Sequence, residues 1–312
     1  MSTTTMLQLV QQATGELGLN VPSSVVGNTN TDVVQIYRLI NACGYELQRK
    51  HEWQALTVEY RFTTVYYTYT ADVTNGSTAM TAMSSTTGLT TNPTYFQVVG
   101  EGVQQDTYLS SVDSGTSSAV LSLAATGSAT TGSYTFTQTK YAFPSDFDHL
   151  IDRTDWDKSQ HWEMLGPESA QQWQWLKSGF ISSGPRIRFR PLGNLFQIWP
   201  AIGAAHVLGF EYVSNAWAQA TGGGAFKGSF TVDTDTCIWP DRLMVLFLKR
   251  KYWEIKGFDT TAIERDFDAE LAHRVRALLG IRVVRPIAKE QANGRFDVLV
   301  IYFLQLRSGG NH

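Results

Sequence analysis

What this chain of 312 residues lacks narrows its chemistry first. It has two cysteines, Cys43 and Cys237, far apart in sequence, and no secretion signal ahead of them. Two buried thiols are therefore expected rather than a disulfide. The opening residues MSTTTMLQLV contain no basic segment and no long apolar core, so no signal peptide is expected. No stretch reaches the roughly 18 apolar residues of a membrane span. The net charge is −3, which excludes a global field that would draw the chain to nucleic acid or an anionic membrane. Together these absences point to a soluble chain made inside the cell.

Catalytic signatures are missing too. The histidines (51, 149, 161, 206, 273 and 312) are scattered, with no His-Glu-x-x-His and no zinc-ligand spacing. There is no Gly-x-Ser-x-Gly elbow. GGGAFKGS, at 222–229, has Lys-Gly-Ser where a phosphate loop requires Gly-Lys-Ser/Thr, and no helix-forming sequence follows, so a flexible loop is expected over 218–229. No catalytic residue, metal or cofactor is expected, and the chain does not look like an enzyme. Two constellations remain open. Asp146, Asp148, Asp152, Asp155 and Asp157 could hold a hard cation or act as paired carboxylates, or simply form a solvated face. Trp156, Trp162, Trp173, Trp175 and Phe180 could form core, a protein interface or a sugar-stacking platform.

What the chain does have is helical patterning at both ends. Residues 3–17 place Met6, Leu9, Val10, Ala13 and Leu17 on one face. A second helix, capped by Asn30 or Thr31, places Val33, Ile36, Ile40, Cys43 and Leu47 together. Near the other end, 240–256 carries the apolar block Leu243 to Leu248 and then turns basic at Lys249, Arg250 and Lys251. Gly257 is placed to stop that helix. Ile263, Phe267, Leu271, Val275 and Leu278 form the narrow apolar stripe of a further helix. The economical expectation is an α+β protein whose core is a four-helix bundle assembled from both chain ends.

Between these ends the composition changes. From Arg61 to Lys140 there is no intervening Lys or Arg, and roughly two-fifths of the residues are Ser or Thr. Short β-type runs alternate with turn signals such as Asn75-Gly76 and Asp113-Ser114-Gly115, which predicts a small all-β insertion, sandwich or barrel. Pro144-Ser145-Asp146 reads as a turn into a short helix, and 170–177 as another helix. Runs at 186–190, 195–199 and 205–212 predict an antiparallel meander. The expected organisation is 1–60 as N-terminal helices of the core and 61–140 as the β insertion. Residues 141–280 complete the core, and 281–312 form an arm. In that arm Pro286 holds Arg285 extended, and seven apolar residues from Val298 to Leu304 call for a covering surface.

Several ordered stretches resemble one family. They are YRLINACGYELQRKHEWQALTVEYRFTT, YAFPSDFDHLIDRTDW, IRFRPLGNLFQIWPA, LGFEYVSNAW, WPDRLMVLFLKRKYWEIKGFD and AELAHRVRALLG, covering about 200 residues outside the β insertion. The chain resembles the head-to-tail adaptor (connector) proteins of tailed bacteriophages, the short-tailed kind above all. That resemblance implies a homo-oligomeric ring, commonly of twelve subunits, in the neck of a virion and assembled in the host cytoplasm. The ring would dock on the portal protein and carry tail nozzle or fibre proteins below. Genomic DNA would pass through its lumen without sequence-specific binding, and no membrane would be involved. Arg285, Val298, Val300, Tyr302, Phe303 and Leu304 would then dock on the portal or a neighbour. Leu243, Leu246, Phe247, Arg265 and Arg276 would lie between subunits. A tail-associated carbohydrate-binding or glycan-cleaving protein is the alternative.

Overall fold

The computed structural model describes residues 4–91, 96–178, 184 and 186–278. Helix α1 (Met6–Glu16) starts at a capping box. Thr5 Oγ1 accepts the Gln8 N–H, while Gln8 Oε1 accepts the Thr5 N–H. Helix α2 (Thr31–Lys50) is capped by Asn30, whose Oδ1 accepts from the N–H groups of Asp32 and Val33. Helix α4 (Asp241–Lys256) follows Pro240 and ends at Gly257, which adopts φ 75°, a left-handed conformation open to glycine. There Gly257 N–H donates to Glu254 C=O and Phe258 N–H to Trp253 C=O, the paired bonds of a Schellman ending. Helix α5 is Thr261–Leu278, and α3, Ala170–Lys177, stands apart from the others in sequence.

The expected helical-bundle core is not what forms. Among the described residues strand outnumbers helix, 30% against 28%, and the strands lie in four antiparallel sheets. Helices α1, α2 and α5 each pack on α4. Val213, Trp217, Ala218 and Phe230, from strand and loop segments, belong to the same core as the helices. Trp217 and Phe230 meet edge to face, with centroids 4.9 Å apart, and Trp217 lies so close to Gly44 that a Cβ there would come within 2.1 Å of its ring. An indole offers more buried area per residue than a helical turn of polar sequence, so the helices' apolar faces are covered by aromatics.

The meander also divides. Strands β12 (Arg188–Leu192) and β13 (Leu195–Trp199) pair with each other and with β8 (Lys140–Ala142). Strand β14 (Val207–Ser214) leaves for another sheet. It pairs there with β1 (Thr57–Thr63) along one side, and with β9 (Phe147–Leu150) and β10 (Trp156–Asp157) along the other. Strand β11 (Trp162–Glu163) completes that sheet. Phe189, Phe196 and Phe210 stack between the two sheets and hold them together. The turn at 144–146 thus leads into a strand, not a helix. The stretch expected as a loop at 218–229 is bracketed by β15 (Ala218–Gln219) and β16 (Phe226–Lys227), with β17 (Thr236–Cys237) on the other side of β15.

A six-stranded sheet spans residues 66–138. Its strands are β2 (Tyr66–Val73), β3 (Ala79–Thr81), β4 (Phe96–Gly100), β5 (Leu109–Asp113), β6 (Ser118–Leu121) and β7 (Ala129–Gln138), in the order β4-β7-β2-β3-β6-β5. The two outer strands approach each other, with Gln97 bridged to Tyr108 and Val98 N–H donating to Thr107 C=O at 2.8 Å. The sheet therefore rolls toward a barrel around Met80, Phe96, Leu109, Leu121, Tyr134 and Phe136. The chain leaves and returns at one point, and Tyr141 closes it: its hydroxyl accepts the Val65 N–H at 3.2 Å and donates to Gln138 C=O at 2.8 Å. Tyr141→Phe is expected to lower stability by about 1–2 kcal/mol, since both backbone groups lose this partner, and thermal unfolding of the variant measures it. An unchanged melting temperature would show that the clasp contributes nothing.

Candidate functional site

The residues singled out as chemistry turn out to be dispersed. Asp146 accepts from Tyr212 Oη (2.9 Å) and Ser214 Oγ (2.7 Å), pinning the turn before β9 to β14. Asp157 is buried, with Oδ1 accepting the N–H groups of Ser159 and Gln160, and Oδ2 2.7 Å from His206 Nδ1. Asp148 pairs with the adjacent exposed His149. These carboxylates serve three separate local structures, and no group of three or more His, Cys, Asp or Glu among the described residues could hold a metal ion.

Asp155 is different. It is only 3% exposed, and its Oδ1 has no hydrogen-bond partner among the described residues. Burial pushes its carboxyl up to about 7, and the nearby Asp152 and Glu163 add to that against a backbone hydrogen bond. A carboxyl raised in the folded state costs stability where it must ionise. The penalty is absent below the unfolded value near 3.8, grows as pH rises toward 7 and is complete above it. Asp155→Asn is expected to stabilise the protein by on the order of 2–4 kcal/mol at pH 8 and by almost nothing below pH 4. Denaturant titrations at the two pH values test this, and an equal effect at both would remove ionisation as the cause.

The tryptophans do not share a platform. In the β10–β11 hairpin Trp156 is opposite Glu163 and Trp162 opposite Asp157, so the two indoles emerge on opposite faces. Trp173 is buried with Leu176 and Trp199, while Trp175 is exposed on α3. Phe180 lies outside the described residues. Lys227 of the glycine-rich stretch is committed to structure: its Nζ lies 2.8 Å from the carboxylate of Asp235 and 2.6 Å from Thr231 Oγ1. Burial pushes the Asp235 carboxyl up, but Lys227 and the N–H groups of Thr231 and Val232 outweigh it and hold it below the usual range. Both cysteines are free and buried, and burial raises the two thiols, Cys237 to about 12.

Of the residues expected between subunits, Leu243, Leu246 and Phe247 are already covered by their own chain. Phe247 stacks on Phe267 of α5, with centroids 4.6 Å apart. They are core residues and present no surface to a neighbour. Their physical role follows from the six-residue apolar run, which leaves no side of α4 free of packing. Arg265 and Arg276 do lie exposed on α5. Arg285, Val298, Val300, Tyr302, Phe303 and Leu304 lie outside the described residues. The basic run after the apolar block is distributed outward: Lys249 reaches Glu16 of α1 (2.8 Å), Lys251 reaches Glu46 of α2 (2.9 Å), and Arg250 pairs with Glu264 of α5.

Surface features that the sequence pattern did not single out are more suggestive. Phe258, just past the end of α4, is 61% exposed, and Ile255 in its last turn is 54% exposed. On α2, Tyr37, Asn41 and Tyr45 line a cleft of about 330 Å³, closed on its far side by Ser229, Phe230 and Thr231. An aromatic immediately after a helix-ending glycine was the available signal for Phe258. The cleft had none, because its two walls are nearly 190 residues apart. No helix among the described residues is long and apolar enough to cross a membrane. No protein family matches the chain by sequence profile, and no curated protein matches it.

Proposed function

We propose that this chain is a structural head-to-tail adaptor of a tailed bacteriophage. It acts as a subunit of a ring, dodecameric by resemblance, between the portal and the tail. Its partners are further copies of itself, the portal protein and downstream tail proteins, with DNA passing through the lumen during packaging and ejection. The observation that carries this function is the exposed apolar tip of the α4–α5 hairpin, Ile255 and Phe258, beside an α5 surface on which Arg265, Asp266, His273 and Arg276 present charge of both signs. Large apolar side chains ringed by charge are the ordinary composition of a protein contact surface. The resemblance supplies the kind of contact. Trp156 and Trp162 emerge on opposite faces of their hairpin and do not form one stacking surface, which supports the adaptor reading over the carbohydrate-binding alternative.

The test is assembly. Purified chain mixed with the portal protein of the same phage should form rings on one end of the portal in negative-stain electron micrographs. Removing residues 281–312 should abolish that binding while leaving the circular dichroism of the remainder unchanged. Failure of the full chain to bind the portal in sedimentation would remove the adaptor function. Glycan-array binding lost in Trp156→Ala would favour the carbohydrate alternative.

A further inference from the structure

The α4–α5 turn projects an aromatic ring and a carboxylate in fixed positions. The Schellman bonds hold Phe258, whose ring meets Trp253 edge to face at 6.3 Å yet stays 61% exposed. Asp259 follows it. Its Oδ1 accepts from Thr261 N–H (2.9 Å) and Thr261 Oγ1 (2.6 Å), and no hydrogen bond reaches its Oδ2 among the described residues. The Thr261 bonds hold this exposed carboxyl below its usual range, so it is ionised at neutral pH.

The α2 cleft has the complementary features, and it is preformed. Tyr37 Oη donates to Phe230 C=O at 2.9 Å, and Asn41 Oδ1 accepts the Phe230 N–H at 2.8 Å, which fixes one wall against the other. Tyr45 stands half-exposed at one end, propped edge to face on Trp217. Arg38 lines the cleft, its guanidinium 5.9 Å from the Tyr37 ring centroid, and it makes no ion pair among the described residues. An aromatic-lined cleft with a guanidinium beside it matches a phenyl ring followed by a carboxylate.

The two features lie on different flanks of α2. Helix α4 is tied to one flank through Lys251–Glu46 (2.9 Å) and Lys256–Asp32 (3.7 Å). Tyr37 and Asn41 are five residues from Asp32 and Glu46 respectively, about 140° away around a helix of 3.6 residues per turn. A chain with projection and cleft on different flanks offers each copy one of each. Contacts between unlike surfaces of identical chains propagate head to tail, into a ring or a filament, and do not stop at a two-fold dimer.

We propose that Phe258 of one copy seats in the Tyr37–Tyr45 cleft of the next, with Asp259 on Arg38. This contact rests on the ring assembly of the proposed function and supplies residues for it.

Cross-linking tests it on the full chain, with and without the portal. A chain carrying both Phe258→Cys and Tyr45→Cys, treated with a mild oxidant, should give a covalent ladder extending beyond dimer. A mixture of the two single variants should stop at dimer. Both positions are exposed, so folding is not at stake, and the native thiols are buried. Arg38→Asp or Asp259→Arg alone should weaken the ladder about tenfold, and the two together should restore it. A ladder no stronger than that from Val232→Cys with Tyr45→Cys, both solvent-facing in the free chain, overturns the contact. Rings on the portal without the Phe258–Tyr45 cross-link discard this contact and keep the adaptor function. A ladder from a chain that does not bind the portal keeps the contact and discards that function.

Discussion

Burial of the run Leu243–Leu248 on α4 is the constraint from which the helical part of the structure follows. Six consecutive apolar residues on a helix point in every direction, so no single neighbour can cover them. All six are buried. At about 1.5–3 kcal/mol for each large side chain they contribute on the order of 10 kcal/mol, comparable to the whole stability of a typical domain. Covering them draws in α1, α2 and α5 and the aromatic segment from Trp217 to Trp239. The cations that follow the run index the arrangement: each of the three neighbouring helices offers a carboxylate to a different α4 cation. Exposed ion pairs add little energy, but mismatched charges would oppose a rotated helix.

Buried and half-buried carboxylates act as pins, several of them between distant parts of the chain. Asp233 accepts from the N–H groups of Val25 and Val26, fixing the segment before α4 to the linker after α1, while Asp235 accepts from those of Thr231 and Val232 and closes a turn within that segment. Asp146 and Asp157 do the same around β14. A buried carboxylate surrounded by donors specifies one geometry, because any other leaves it desolvated and unpaired. Asp155 is the exception, and its raised carboxyl marks the β10 region as the place where ionisation opposes folding.

The cation-free stretch acquires a physical meaning from its topology. Open sheets protect their edges with charges, lysine above all. Here β4 and β5 turn back toward each other through the Gln97–Tyr108 bridge, so the sheet has little free edge to guard. Ser and Thr can then occupy the outer positions, where β-branched Thr suits a pleated strand.

The periodicity of the chain determined its longer helices and about half of its strands: the cap at Asn30, the stop at Gly257, and the runs at 170–177 and 195–199 follow from local backbone chemistry that acts within a turn or two. Which surface each element buries was decided only by the tertiary structure. Leu243, Leu246 and Phe247 looked like more apolar surface than one subunit needs, because the aromatics that cover them lie elsewhere in sequence. For the same reason β14 departed from its meander, the clustered aspartates Asp146, Asp148, Asp155 and Asp157 met unrelated surroundings, and two hairpin tryptophans faced apart. The candidate contact surface follows this division. Phe258 and Asp259 were visible as residues after a helix stop, whereas their proposed cleft exists only because Tyr37 and Asn41 meet Phe230, a long-range pairing that no local pattern encodes.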